Sequence, residues 1–230
     1  MKNNAITLFL LLSVMTGFSQ DLNYDVHGAY SRSVTKEKLN DAKTMRDINP
    51  GYPSSSWITD YVSAEILATS NGKAMRAAGK NEVLSEEQKN ILKTADLGTD
   101  VVIDVKFKQV NTVTGDVDIR KMHFSFTVVP EVEAEYPGGQ EQLTQYLKQN
   151  AISKISEKDF KNIQMAKVRF IVNETGEIAD AKISATSGDR EIDGLLLDTI
   201  TKMSKWKPAQ DAKGIKVKQE FEFSVGNGGC

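Results

Sequence analysis

At Pro137-Gly138-Gly139 the chain changes its hydrophobic period, and no single regular element can run through that corner. Proline fixes φ and removes a donor, while the two glycines admit the positive φ of a sharp reversal. Upstream, "DVVIDVKFK" sets Val101, Ile103, Val105 and Phe107 on one face against Asp104, Lys106 and Lys108, the period-two signature of a half-buried strand. Downstream, Leu143, Tyr146, Leu147 and Asn150 fall at helical spacing, which predicts a helix starting at Gly139 or Gln140. The corner is not a phosphate cradle. That would need further glycines at fixed spacing and a Lys-Ser/Thr pair, whereas "PGGQEQ" offers a glutamate that repels anions. Its reading is geometric, with Tyr136 tucking its ring against the sheet.

Export is expected from the first residues. Lys2 precedes an apolar run from Ala5 to Met15 and a small-residue ending with Gly17 and Ser19, the layout of a cleavable signal peptide over residues 1–19. The run is shorter than the roughly 20 residues that span a bilayer. No cysteine follows it for lipid attachment. The expected location is therefore the periplasm. The formal net charge of −2 (29 basic against 31 acidic residues) becomes −3 without Lys2, which argues against nucleic acid as a partner. Cys230, the one cysteine, cannot form an intramolecular disulfide, so the fold rests on packing. It either pairs two chains or is incidental to the tail.

Residues 20–56 read as a leader, aperiodic and exposed to Arg32, with one short helix opened by Thr35 and then broken by Pro50, Gly51 and Pro53. Residues 57–130 read as a β-rich domain. "WITDYVSAEILA" is its first strand, and Asn71-Gly72 suits a tight hairpin turn. Ser85 with Gln88 forms a capping box for a helix whose apolar side is Leu84, Ile91, Leu92 and Ala95, ended by Gly98. In "VDIRKMHFSFTVV" the buried parity switches from Val117 and Ile119 to Met122, Phe124, Phe126 and Val128, which predicts a β-bulge near Arg120-Lys121. Residues 131–135 read as an acidic linker.

The last domain, 136–226, reads helix, strand, strand, helix, strand, followed by a flexible tail over 227–230. "QMAKVRFIV" and "EIADAKISA" flank a turn in which Gly176 takes positive φ. Ile192, Leu196, Ile200 and Met203 form one helical stripe. Lys202, Lys205 and Lys207 crowd the expected end of that helix, which Pro208 stops. "IKVKQEFEFSV" alternates throughout, with Ile215, Val217, Gln219, Phe221, Phe223 and Val225 inward and Lys216, Lys218, Glu220, Glu222 and Ser224 outward. The expected fold class is α+β: two helices on a three-stranded antiparallel sheet, after a mostly antiparallel β-domain with one helix.

That order, with Tyr136-Pro137-Gly138-Gly139, "LTQYLKQNA", "VRFIVNETGEIADAKI", "GDREID" and "MSKWKPA", resembles the C-terminal domain of TonB-type energy transducers in the form common among Bacteroidetes. The preceding strand, capped helix and hairpin more distantly resemble periplasmic domains of gliding-motility GldM-type proteins. The resemblance implies a non-catalytic interaction module supporting energy-coupled transport. Its final strand would receive a segment of an outer-membrane TonB-dependent transporter by β-augmentation. Carried over, Lys216, Val217, Lys218, Gln219, Glu220, Phe221, Glu222, Phe223 and Ser224 would form that edge. The uncleaved membrane helix and proline-rich spacer usual in such transducers are not read in this chain, so the expectation is a receptor-contacting module without the usual connection to an inner-membrane motor.

Two histidines and one cysteine give no metal-ligand spacing and no Ser/His/Asp or Cys/His arrangement. Asp189 and Glu191 fit helix capping better than paired catalysis. No cofactor, small-molecule substrate or catalytic activity is expected. Trp206 either closes the core or serves as a recognition aromatic, and Trp57 is unassigned. The final strand exposes unpaired backbone groups if it lies at an edge. It then recruits a partner, or pairs with a second copy to give a structural envelope homodimer, or is kept apart by its charges.

Overall fold

The computed structural model describes residues 22–49, 51–52, 58–160 and 163–226. The expected signal peptide, Trp57 and the tail with Cys230 lie outside these residues. The element order is β1 (Asn23–Gly28), β2 (Ser33–Thr35), α1 (Lys36–Asp41), α2 (Met45–Ile48), β3 (Asp60–Ser70), β4 (Lys73–Gly79), α3 (Glu86–Thr94), β5 (Asp100–Val110), β6 (Val117–Val129), α4 (Gly139–Asn150), α5 (Glu157–Phe160), β7 (Ala166–Val172), β8 (Ile178–Ala185), α6 (Arg190–Thr201), β9 (Ala209–Gln210), β10 (Lys216–Val217) and β11 (Gln219–Gly226). It is an α+β fold with two hydrophobic cores.

The first core belongs to a five-stranded sheet of order β2-β6-β5-β3-β4, antiparallel apart from the β2–β6 pair. Asn71 and Gly72 both take positive φ, 50° and 71°, so the hairpin turn is as expected. Ser85 and Gln88 form the capping box of α3, and Thr35 caps α1. Gln88 goes further than a cap: fully buried, it donates from Nε2 to the Ala64 carbonyl at 2.8 Å and ties α3 to β3. A second capping box, Thr44 with Asp47, opens α2, which the sequence reading missed.

Three expectations are corrected in this half. The helix ends at Thr94 with Ala95 as its cap, four residues before Gly98. The bulge at Arg120-Lys121 does not exist, because β5 and β6 pair in unbroken register from Asp100↔Thr127 to Val110↔Val117. Val117 and Ile119 are simply exposed, at 58% and 65%, where the hairpin overhangs its core. The one register shift lies between Tyr61 and Ser63, where β3 pairs β5.

The second core fills a four-stranded sheet of order β1-β11-β7-β8 against α4 and α6. Gly138 and Gly139 take φ of 84° and 76°, and α4 starts at Gly139. Asp189 caps α6 through the backbone N–H groups of Glu191 and Ile192. The helix stops at Thr201, short of the expected Trp206, so Lys205 and Lys207 lie beyond it and pair with Glu177 and Glu135. The expected three-stranded sheet has a fourth member. The leader strand β1 runs antiparallel to β11 from Asn23↔Gly226 to Gly28↔Phe221. Leu22 and Val26 are buried in the second core, so this stretch is not an exposed leader.

Candidate functional site: the flank of the final strand

The geometry of β11 departs most from expectation. The final strand was expected at an edge, yet β7 occupies one side and β1 the other. The free-edge reading is corrected: among the described residues the outer strands of this sheet are β1 and β8. Pairing two copies through their final strands meets the same obstacle. The β8 edge is blunted by two register shifts against β7, with Asp180 held at φ 49°, a device that discourages further pairing.

The expected binding stretch also divides. Lys216 and Val217 form β10, a short ribbon with Gln210 and Ala209, and strand pairing lapses at Lys218, which is exposed as its place in the alternation requires. The main strand starts at Gln219. Phe221, Phe223 and Val225 face the core as expected, and Glu220 and Ser224 are half-buried. Gln219 is buried, and its Oε1 accepts from the Ala134 N–H at 2.8 Å, tying the connector before the corner to β11.

Glu222 is the largest departure on this strand. Read as solvent-facing, it is 5% exposed. It accepts from Lys167 Nζ at 2.7 Å and from Arg169 Nε at 3.1 Å, both on β7. Burial opposes ionisation, but the hydrogen bonds and charges of Lys167 and Arg169 outweigh it, and the carboxyl stays below its usual range. Opposite it on β1 stands His27, exposed and with Nδ1 turned to the Gly28 carbonyl at 2.8 Å.

The corner lies beside the end of β1. Tyr136 is buried and packs edge-on to Trp206, with ring centroids 5.5 Å apart. Trp206 also meets Phe221 at 5.1 Å and Phe170 at 6.0 Å, so it is a core residue. Pro208 is buried, and Pro137 is exposed at the turn. Residues 131–135 run as an extended segment: Val132 and Gln210 exchange backbone hydrogen bonds, as do Glu135 and Lys207. Between β1, this segment and the corner lies a cavity of about 470 Å³ floored by Tyr136, Trp206 and Phe221.

Among the described residues no cluster of histidine, cysteine, aspartate and glutamate is arranged to hold a metal. His123 pairs with Asp104 across β5 and β6 at 2.8 Å on an exposed face. Sequence reasoning missed β1, although Leu22, Tyr24 and Val26 alternate with Asn23, Asp25 and His27 and could have revealed it.

Residues 138–225 match the family model described as TonB C terminal. No curated protein and no solved structure matches the chain.

Proposed function

We propose that this chain is a non-catalytic envelope protein that binds an extended segment of a partner, such as an outer-membrane transporter, by strand exchange on β11. The TonB C-terminal match over residues 138–225 supports an interaction module of the periplasm. No helix among the described residues is long and apolar enough to cross a membrane. The observation that carries the reading is β1 itself. A six-residue strand from a part of the sequence far from the domain it completes lies along β11 in antiparallel register. Of its six residues only Val26 and Gly28 are fully buried, with Tyr24 half-buried against the core and Leu22 buried just before the strand. The flank therefore accepts an added strand, held by backbone hydrogen bonds that any extended polypeptide can supply. In this reading β1 holds the place of the partner, keeping the edge from aggregating until a better-matched segment replaces it.

Competition with β1 lowers apparent affinity by the fraction of time the flank is vacated. The test is a reversible lock. Asp25 and Ser224 face each other across β1 and β11, so Asp25→Cys with Ser224→Cys, in a Cys230→Ser background, ties the strand down when oxidised. Calorimetric titration with transporter N-terminal peptides should show binding to the reduced protein and none to the oxidised one. Equal binding in both states rules out exchange on β11. Absence of binding in the reduced state to every such peptide removes the transporter as partner.

A further inference from the structure

The two flanks of β6 are unequal. On one side β5 pairs with it without a break from Asp100↔Thr127 to Val110↔Val117. On the other, β2 covers only Thr127, Val128 and Val129. The Thr127 N–H donates to the Arg32 carbonyl on the β2 side, and the Val128 N–H to the Thr99 carbonyl on the β5 side. Strand alternation then turns the backbone groups of Val117, Ile119, Lys121, His123 and Ser125 toward the side that β2 leaves open. Among the described residues no strand pairs with that stretch. Nor does its register carry the shifts that blunt β8.

A cavity of about 310 Å³ lies where β2 gives out. Its lining includes the buried Val34, Ile48, Phe124 and Phe126 and the exposed Arg32 and Lys38. Residues opposite one another on paired strands share a face. A residue set against Phe124 or Phe126 by an added strand would therefore turn its side chain into this apolar space. The volume is within the ordinary range for ligand pockets.

Charge narrows the occupant. Lys121 stands directly opposite Lys106 on the outer face of the sheet. Neither of them, nor Arg32 or Lys38, has an ion-pair partner among the described residues. The carboxylates of β5 and β6 are each engaged: Asp100 with the Thr127 hydroxyl, Asp104 with His123 and Asp118 with Arg120. A second copy pairing through this flank would bring one lysine row against another, and like charges across strands are destabilising. The same row attracts a strand that carries carboxylates.

We propose that the open flank of β6 receives an acidic extended segment of a partner polypeptide, laid end to end with β2. An apolar side chain of that segment fills the cavity, and its carboxylates face Lys121, Lys106, Arg32 and Lys38. Backbone pairing supplies the affinity, while the cavity and the cations supply selectivity. This docking is separate from exchange on β11 and gives the first sheet a partner of its own.

The test uses the full ¹⁵N-labelled chain, both unmodified and in the oxidised Asp25→Cys/Ser224→Cys/Cys230→Ser form, which keeps β11 closed. The probe is a capped heptapeptide of alternating glutamate and valine with a central phenylalanine. In both forms of the protein the amide signals of Ser125, His123, Lys121 and Ile119 should shift, with a dissociation constant below about 1 mM. Their hydrogen exchange should slow as well. The same peptide with lysine for glutamate should bind at least about fivefold more weakly, and Arg32→Glu/Lys121→Glu should reverse that preference. N-methylation separates pairing from adsorption. Of two peptides, one methylated at the glutamates and one at the valines and phenylalanine, one should lose binding and the other keep it, because alternate N–H groups point to opposite sides. Equal binding of the acidic and basic peptides overturns the charge assignment, and binding by both methylated forms overturns strand addition. No shift of these amides up to about 2 mM peptide removes the site. Protection of the same amides before any peptide is added, together with a dimeric mass by sedimentation, overturns the proposal in favour of a second copy.

Discussion

Gly176 sits in the turn between β7 and β8 at φ 86°, and a Cβ there would lie 2.0 Å from the Trp206 carbonyl oxygen. The same residue accepts the Trp206 N–H at 2.7 Å. Positive φ alone costs a non-glycine residue roughly 1–2 kcal/mol, and the clash is with backbone, which cannot swing aside. Gly176→Ala should therefore lose about 3 kcal/mol or more in a denaturant melt. Glu222 makes a different residue-scale prediction. Its carboxyl is held below the usual 4.5 by Lys167 and Arg169 against the pull of burial. A depressed folded-state pKa contributes stability that is full above the unfolded value and is lost as pH falls through the folded one. Stability should thus decline below about pH 4.5, and Glu222→Gln should flatten that acid limb. At neutral pH the substitution should cost about 1–2 kcal/mol, discounted because both cations are nearly half exposed. An unchanged acid limb in Glu222→Gln would assign it to other carboxylates.

Among the elements, α3 shows a local signal and a long-range one meeting in one side chain. Ser85→Ala removes only a cap and should cost about 1 kcal/mol. Gln88→Ala also strips the Ala64 carbonyl of its partner inside the first core and should cost roughly 2–3 kcal/mol by chemical denaturation. The cap was legible because Ser-x-x-Gln is a contiguous pattern. The tie to β3 was not, because nothing local says which way a glutamine points. The same division runs through the candidate site. The corner, Gly176, the inward row Phe221, Phe223 and Val225, and the Asp189 cap could all be read from spacing. The place of β11 within its sheet could not, since strand order depends on a pairing between residues about two hundred positions apart. Glu222 was misread for a related reason: alternation assigns faces, not what covers them. β1 itself should be the least protected strand of its sheet. It buries little, and its amides should exchange at least about tenfold faster than those of β7 in native-state hydrogen exchange. Protection equal to that of β7 would weigh against its replacement by a partner.

At the scale of the whole molecule, one short segment joins both sheets. β1 completes the second sheet, and five residues later β2 pairs with β6 in the first. Ala29 donates to the Glu220 carbonyl at 3.2 Å, and the Arg32 carbonyl accepts from the Thr127 N–H at 2.9 Å, so the span between them touches both halves. The other covalent link, residues 131–135, is itself pinned to residues 207–210. Two tethers restrain the relative orientation of two cores far more than one does, because the second closes a loop that the first leaves open. Replacement of β1 by a partner strand would then loosen one tether as it fills the flank, converting binding into a change of domain freedom. The prediction can be isolated from binding by placing a protease site in the 29–32 span and spin labels on the exposed turns at Thr114 and Glu174. The intact chain should give one narrow distance distribution, and cleavage should broaden it while both cores stay folded by circular dichroism. A distribution that stays narrow after cleavage would mean that the pinned connector alone sets the orientation, and that exchange at β11 is felt no further than the second sheet.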